Sequence, residues 1–340
     1  MTILLSYDIR YPLFIIVNKK LYYKGVLNMG QKRWWPLFLG FMLLITLLML
    51  KHKNSNKKNF KIGILQFVEH EALDASRQGF IDGINKLNLN VQIEYKNAQG
   101  DQSNCTLIAN QFVAENCDLI FAIATPAAQS TAAVTSKIPI LISAVTNPVD
   151  VNLVKSNQKP DTNISGTSDL APISKQIELI KKLKPNAESI GILYSSSEAN
   201  SKFQAEIALG EAQKLGLHAK EITFSQVTEI QQIVESISGK VDAIYTPTDN
   251  VVASNMTLIS KTAMQFGIPV ICGEVNLLSK GAVGTFGMDY YELGLINANQ
   301  AEKILTGQDI PQNMPIEYIK DAKLALNEEV LNKLNLSFMN

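Results

Sequence analysis

The chain has 340 residues, 46% of them hydrophobic, with 31 Lys and Arg against 31 Asp and Glu. That length can bury a sizeable core in one large or two medium domains, and the even charge balance leaves no basic surplus for neutralising phosphates, so nucleic acid is excluded as an expected partner. Three cysteines without a CxxC pair and three histidines give a metal site little material. Cys105, Cys117 and Cys272 therefore read as buried thiols, and neither a metal nor a cofactor is expected.

At the amino end, residues 1 to 28 precede Met29, which opens a short basic start, MGQKRWW. Met29 is the expected initiator, and residues 1 to 33 read as a mis-assigned start and a basic leader. Residues 34 to 50, WWPLFLGFMLLITLLML, carry no charge and are bounded by Lys32 and Arg33 before and by Lys51, His52 and Lys53 after. At a rise of 1.5 Å per residue this stretch covers about 25 Å, at the short end of what spans a bilayer core. It is a transmembrane anchor or a signal segment. The anchor is favoured because the stretch ends Met-Leu-Lys rather than in small residues, and no cysteine follows for lipid attachment. Lysines on the carboxyl side (Lys51, Lys53, Lys57, Lys58, Lys61) keep charge alone from setting the orientation. Residues 51 to 59 read as a polar linker.

After Phe60, short apolar runs alternate with longer amphipathic stretches, the pattern of a parallel sheet covered by helices. Strands are expected at 61 to 67, 91 to 97, 118 to 124, 139 to 145, 189 to 195, 219 to 224, 241 to 246, 269 to 274 and 282 to 288. Helices are expected at 71 to 87, 103 to 115, 172 to 183, 198 to 215, 249 to 265 and 290 to 306. One plan occurs twice: DLIFAIATP followed by KIPILISA, then VDAIYTP followed by GIPVICGE. Two lobes of like construction explain this more simply than one continuous sheet, which stays open as the alternative. Their boundary is expected near 166 to 173, with a second crossing near Gly287 to Tyr291.

Ligands of open parallel sheets bind beyond the carboxyl ends of the strands, near helix amino termini. Thr125-Pro126-Ala127-Ala128 suits a carboxylate there, or is an ordinary helix start. Ala144 and Thr146 follow the next strand as a small, hydroxylated wall. Ser195 to Glu198 form S-x-x-E, read first as a capping box, with Ser196 and Ser197 able to point donors into the same space. Asp249 is either a first-turn acid at its helix or the partner of a ligand ammonium. Glu274 is a second candidate counter-charge, and His70 reads as a loop histidine before a ligand contact. No phosphate-binding loop or nucleophile elbow occurs, so an enzyme is not expected.

Residues 61 to about 335 resemble the substrate-binding proteins of ABC transporters with the type I periplasmic-binding-protein fold, in the TrpX-like, tryptophan-binding group. The resemblance rests on FAIATPAAQSTAA, PILISAVTNPVDVNLV, NISGTSDLAPI, GILYSSSEANS, YTPTDNVVASN and GEVNLLSKGAVGTFGMDYYELG, in that order. It implies an α/β protein of two lobes, each a parallel sheet flanked by helices, joined by three hinge crossings. The first lobe would take 60 to 170 plus 289 to 307, the second 171 to 288 plus 308 to 340. It also implies a small ligand in the cleft, an amino acid with an aromatic or branched side chain. Thr125, Ala127, Ala128, Ala144 and Thr146 would hold its polar head from the first lobe, and Ser196, Ala199, Asp249 and Glu274 would meet it from the second. ABC permease subunits are the implied partners, on the periplasmic or extracellular face of the membrane; the alternative is a tethered ligand-sensing ectodomain that feeds no permease.

Overall fold

The structure, a computed structural model, describes residues 59 to 319 and 321 to 338, with Gly40, Met42 and Leu43. Those three residues are helical and exposed, and the rest of the expected anchor lies outside the described residues. Among the described residues no helix is long and apolar enough to cross a membrane. The residues from Lys58 on group into one compact unit, which holds everything that follows.

Two six-stranded sheets build this body. The first contains β1 (Asn59–Gln66), β2 (Asn90–Asn97), β3 (Leu119–Ile123), β4 (Ile140–Ser143), β5 (Ile164–Ser168) and β11 (Glu317–Tyr318), in the order β11-β5-β4-β3-β1-β2, with every pairing parallel. The second contains β6 (Ser189–Ser195), β7 (His218–Phe224), β8 (Ala243–Thr246), β9 (Val270–Cys272), β10 (Gly284–Gly287) and β12 (Lys323–Leu326), ordered β12-β10-β9-β8-β6-β7. Only β12 runs antiparallel, against β10. The central strands β3 and β4 are buried at every position, as helices on both faces of a parallel sheet require. The edge strand β2 is only half-buried.

Helices α1 (Glu71–Lys86), α2 (Gln102–Ala114), α3 (Thr125–Val134) and α8 (Tyr290–Leu305) belong with the first sheet, and α4 (Ile173–Leu183), α5 (Ala199–Lys214), α6 (Ile230–Ser236), α7 (Asn250–Gln265) and α9 (Glu328–Lys333) with the second. The first lobe has one core, in which Phe80 and Phe121 stack 4.1 Å apart. The second lobe has a core on each face of its sheet.

The chain crosses between lobes after Ser168, after Gly287 and between Tyr318 and Lys323. The last crossing corrects the expected boundary at 307/308. Residues 308 to 318 stay with the first lobe: β11 pairs with β5, Ile316 N donates to Asn157 O (2.7 Å), and the Ser165 hydroxyl donates to Met314 O (2.9 Å). A two-residue strand carries no readable period, which is why the sequence pattern did not show it.

The long helix α8 is clamped to α1 by close backbone contact. A Cβ on Gly79 would lie 2.1 Å from Tyr291 O, and one on Gly294 would lie 2.1 Å from Ser76 O. Neither position can accept a methyl without separating the helices. Gly294→Ala is expected to cost about 2 to 4 kcal/mol in urea unfolding; an unchanged midpoint would contradict this packing.

Candidate ligand-binding site

The crossings bring the carboxyl ends of both sheets to face each other, and a small cavity of about 20 Å³ is left between them with the lobes closed. The first lobe lines it with His70, Leu73, Ala144, Thr146, Asp169 and Tyr290, and the second with Asn200, Thr248, Asp249, Asn250, Ala253 and Glu274. The lobes touch around it. His70 Nε2 lies 3.2 Å from Asn250 Oδ1, Gln204 Nε2 donates to Thr146 Oγ1 (3.4 Å), and Lys280 pairs with Glu71 (2.7 Å). The cleft is closed.

Two of the crossings supply the first-lobe acid. Asp169 stands at the start of the first crossing and Tyr290 at the end of the second, and Tyr290 donates its hydroxyl to Asp169 Oδ2 (2.7 Å) while Thr146 donates to Oδ1 (3.1 Å). Burial pushes the Asp169 carboxyl up, and these two donors pull it back. Ala144, just past β4, has φ 55°, a left-handed turn that brings its backbone to the cavity wall.

Asp249 resolves toward its helix. It is the N-cap of α7, accepting from Val252 N at Oδ1 (2.8 Å) and from Ser195 N at Oδ2 (2.8 Å). Both oxygens are occupied, although the residue still borders the cavity. The capping box expected at Ser195 to Glu198 does not form. Ser195 ends β6 and meets the Ser197 hydroxyl (2.8 Å), while Glu198 turns to the neighbouring helix and accepts from Asn250 N (3.2 Å) and Val251 N (3.0 Å). Two carboxylates thus serve the amino terminus of α7, where free N–H groups and the helix dipole favour negative charge.

Glu274, after β9, is the acid with an open side. Its Oε1 has no hydrogen-bond partner and lies 4.0 Å from His70 Nδ1, which also has none. Burial, then the charges of Asp169 and Glu71, push the Glu274 carboxyl up to about 8. Burial pushes the His70 ring down from its ordinary value. Between about pH 4.5 and 8 the unfolded chain has released the Glu274 proton and the folded chain still holds it. Its contribution to stability is therefore full below the unfolded value and is lost as pH rises toward 8. Glu274→Gln should flatten that fall in urea midpoints measured across this range, and an identical slope in wild type and variant would count against it.

Of the expected ligand-facing residues, Ala144, Thr146, Asp249 and Glu274 line the cavity. Ser196 and Ala199 do not. Both are exposed, and the Ser196 hydroxyl donates to Phe224 O (3.1 Å), because the turn after β6 faces solvent. Thr125, Ala127 and Ala128 are packed inside the first lobe at the start of α3, beneath Ala124 at φ 84°, and are not part of the cavity lining. Asp169, Asn200, Thr248, Asn250 and Tyr290 were not singled out from the sequence, and His70 was discounted as a loop residue. Asp169, in the crossing segment DLAP, and Tyr290, in the crossing expected near Gly287 to Tyr291, carry a readable signal. The three cysteines are buried and unpaired. Among the described residues no cluster of His, Cys, Asp or Glu is placed to hold a metal ion.

Two α/β lobes closed over a buried polar cavity are the architecture of a solute-binding protein of the periplasmic type. Residues 61–340 match the sequence model of the family described as ABC transporter substrate binding protein, and the chain belongs to that family. Such proteins are extracytoplasmic. The chain is similar to a tyrosine-binding protein of Clostridioides difficile, with 39% identity over 84% of this chain and 83% of that one. It is also similar to a solved ABC domain from Streptococcus pneumoniae in complex with L-Trp (35% identity, TM-score 0.80, covering 82% and 96% of the two chains). A third relative is a substrate binding protein with adhesive properties from Clostridium difficile in its ligand-free, open structure (41% identity, TM-score 0.65, covering 83% and 96%). The lower score against the open structure, despite its higher identity, accords with lobes that meet across the cleft here.

Proposed function

We propose that this protein is the solute-binding component of an ABC importer and that its ligand is an aromatic amino acid, held by its ammonium group in the inter-lobe cavity. The observation that carries the reading is the charge of that cavity. Asp169, Asp249 and Glu274 line it, and among the described residues no lysine or arginine does. Such a wall suits a ligand that brings a positive charge of its own, since a buried carboxylate is stabilised only by a partner or by protonation. Asp169 and Asp249 already accept hydrogen bonds at both oxygens, which leaves Glu274 to meet the ammonium. The ligand carboxylate finds N–H donors at the start of α1, where no side chain caps the helix and Leu73 of the first turn faces the cavity. The tyrosine and L-Trp named for two relatives support an aromatic side chain.

Calorimetry of the purified protein with the twenty amino acids tests this. Heat with L-tyrosine or L-tryptophan is expected, and silence toward all aromatic amino acids would sink the ligand assignment. We further propose that residues 34 to 50 tether the body to the membrane. The full chain should then sediment with membranes and leave them only with detergent; release by high salt or in a soluble fraction would remove the tether.

A further inference from the structure

Glu198 sets the hydrogen-bonding polarity of the cavity wall. Its two oxygens receive Val251 N (3.0 Å), Asn250 N (3.2 Å), Asn250 Nδ2 (2.6 Å) and Asn200 Nδ2 (3.1 Å). The backbone donors cannot reverse, so both oxygens act as acceptors, the geometry of an ionised carboxylate. Burial and the Asp249 charge outweigh the N–H donors and leave this carboxyl raised to about 8, but the four donors keep both oxygens in the accepting role.

An acceptor at this place fixes the amides around it. With Asn250 Nδ2 turned to Glu198, Asn250 Oδ1 faces His70 Nε2 at 3.2 Å. A carbonyl oxygen only accepts, so Nε2 carries the ring hydrogen. Burial keeps the ring neutral, and a neutral ring with its hydrogen on Nε2 has a bare, accepting Nδ1. Asn200 is fixed in the same way: its Nδ2 is committed to Glu198 and to Thr248 O (3.1 Å), so its Oδ1 must accept. His70 Nδ1, Asn200 Oδ1 and Glu274 Oε1 are all without hydrogen-bond partners, and their residues all line this one cavity. The three side chains are nine-tenths or more buried, with 10% exposure at His70, 6% at Asn200 and 4% at Glu274.

We infer that these three atoms form a seat for an unsubstituted primary ammonium group, and that Glu198 is the positioning residue that keeps all of the seat's neutral members as acceptors. The inference rests on the amino-acid reading above and adds which form of nitrogen is admitted. Three acceptors match the three N–H of an ammonium, whereas a hydroxyl serves one and a carboxylate none. The 4.0 Å between His70 Nδ1 and Glu274 Oε1 lets one nitrogen reach both at ~2.9 Å with an angle of about 90° between the bonds. An N-methyl group would leave one buried acceptor unpaired and put a methyl where no space is provided.

Competition calorimetry with L-tryptophan, N-methyl-L-tryptophan and indole-3-lactate on the full protein tests the seat. N-methylation should weaken binding about 100-fold, and the hydroxy acid should weaken it at least as much. Equal affinity for L-tryptophan and its N-methyl derivative would overturn the seat and leave the aromatic-ligand reading standing. If no aromatic amino acid binds, that reading fails by itself, and the seat is still judged without ligand by 15N NMR of the histidine rings. His70 should be the neutral Nε2–H tautomer with a bare Nδ1 at neutral pH; an Nδ1–H tautomer or an imidazolium would overturn the inference. Glu198→Gln offers a donor in place of one acceptor, and should mix the two tautomers. An unmixed Nε2–H signal in that variant would remove Glu198 from its positioning role.

Discussion

Replacing Glu274 by glutamine should weaken binding of an aromatic amino acid by about 2 to 5 kcal/mol, roughly 30-fold to several thousand-fold, as for removal of one member of a buried charge pair. The side chain keeps its volume and Oε1 can still accept, so the loss reports charge rather than shape. A second signature separates this from general damage. Burial holds the Glu274 carboxyl at about 8 in the unliganded cavity, so an arriving ammonium must expel that proton at neutral pH. Affinity should rise with pH toward 8, and the heat of binding should depend on the ionisation enthalpy of the buffer. Both dependences should vanish in Glu274→Gln. A variant that binds as tightly as wild type, with the same buffer dependence, would move the ammonium to another acid.

Glu198→Ala should lower the stability of the fold by about 3 to 5 kcal/mol, because it strips acceptors from buried donors that nothing else can reach. Asn250 N and Val251 N open α7, and the two amide groups have no other orientation that satisfies them. Relief of repulsion with Asp249 offsets part of the loss. The effect should appear in urea unfolding as a shifted midpoint with little change in slope. It should also reach across the cleft, since Asn250 is the residue that meets His70 of the other lobe. A midpoint within about 0.5 kcal/mol of wild type would mean that water replaces the carboxylate without penalty.

The strands that could be read from the sequence are those whose burial is written as continuous apolar residues, such as Leu119–Ile123 and Ser189–Ser195. Strand β5 is equally buried but is absent from the expected strands, its end falling in the expected lobe boundary, because it is spelled Ile-Ser-Gly-Thr-Ser. Its hydroxyls are satisfied by distant partners: Ser165 by Met314 O, Thr167 by Asn297 Oδ1 and Ser168 by Thr146 O. No local pattern reveals a partner more than twenty residues away. The same limit governs the site. Ala144, Thr146, Asp249 and Glu274 follow strands directly, where the general geometry of parallel sheets directs attention. Asn200 and Asn250 matter because Glu198 lies between them in space, and Tyr290 because a crossing brings it to Asp169. Ser196 and Ala199 also follow a strand, but the turn that carries them faces outward, and sequence spacing cannot distinguish the two sides of such a turn.

In the proposed function an aromatic amino acid lies between the lobes with its nitrogen at Glu274. The most direct measurement is a crystal structure of the protein grown with L-tryptophan or L-tyrosine. The expected result is ligand density between Leu73 and Ala253, with the amino nitrogen within hydrogen-bond distance of Glu274 Oε1. Ligand bound at another surface with this cavity closed and empty, or a nitrogen turned away from Glu274, would contradict it.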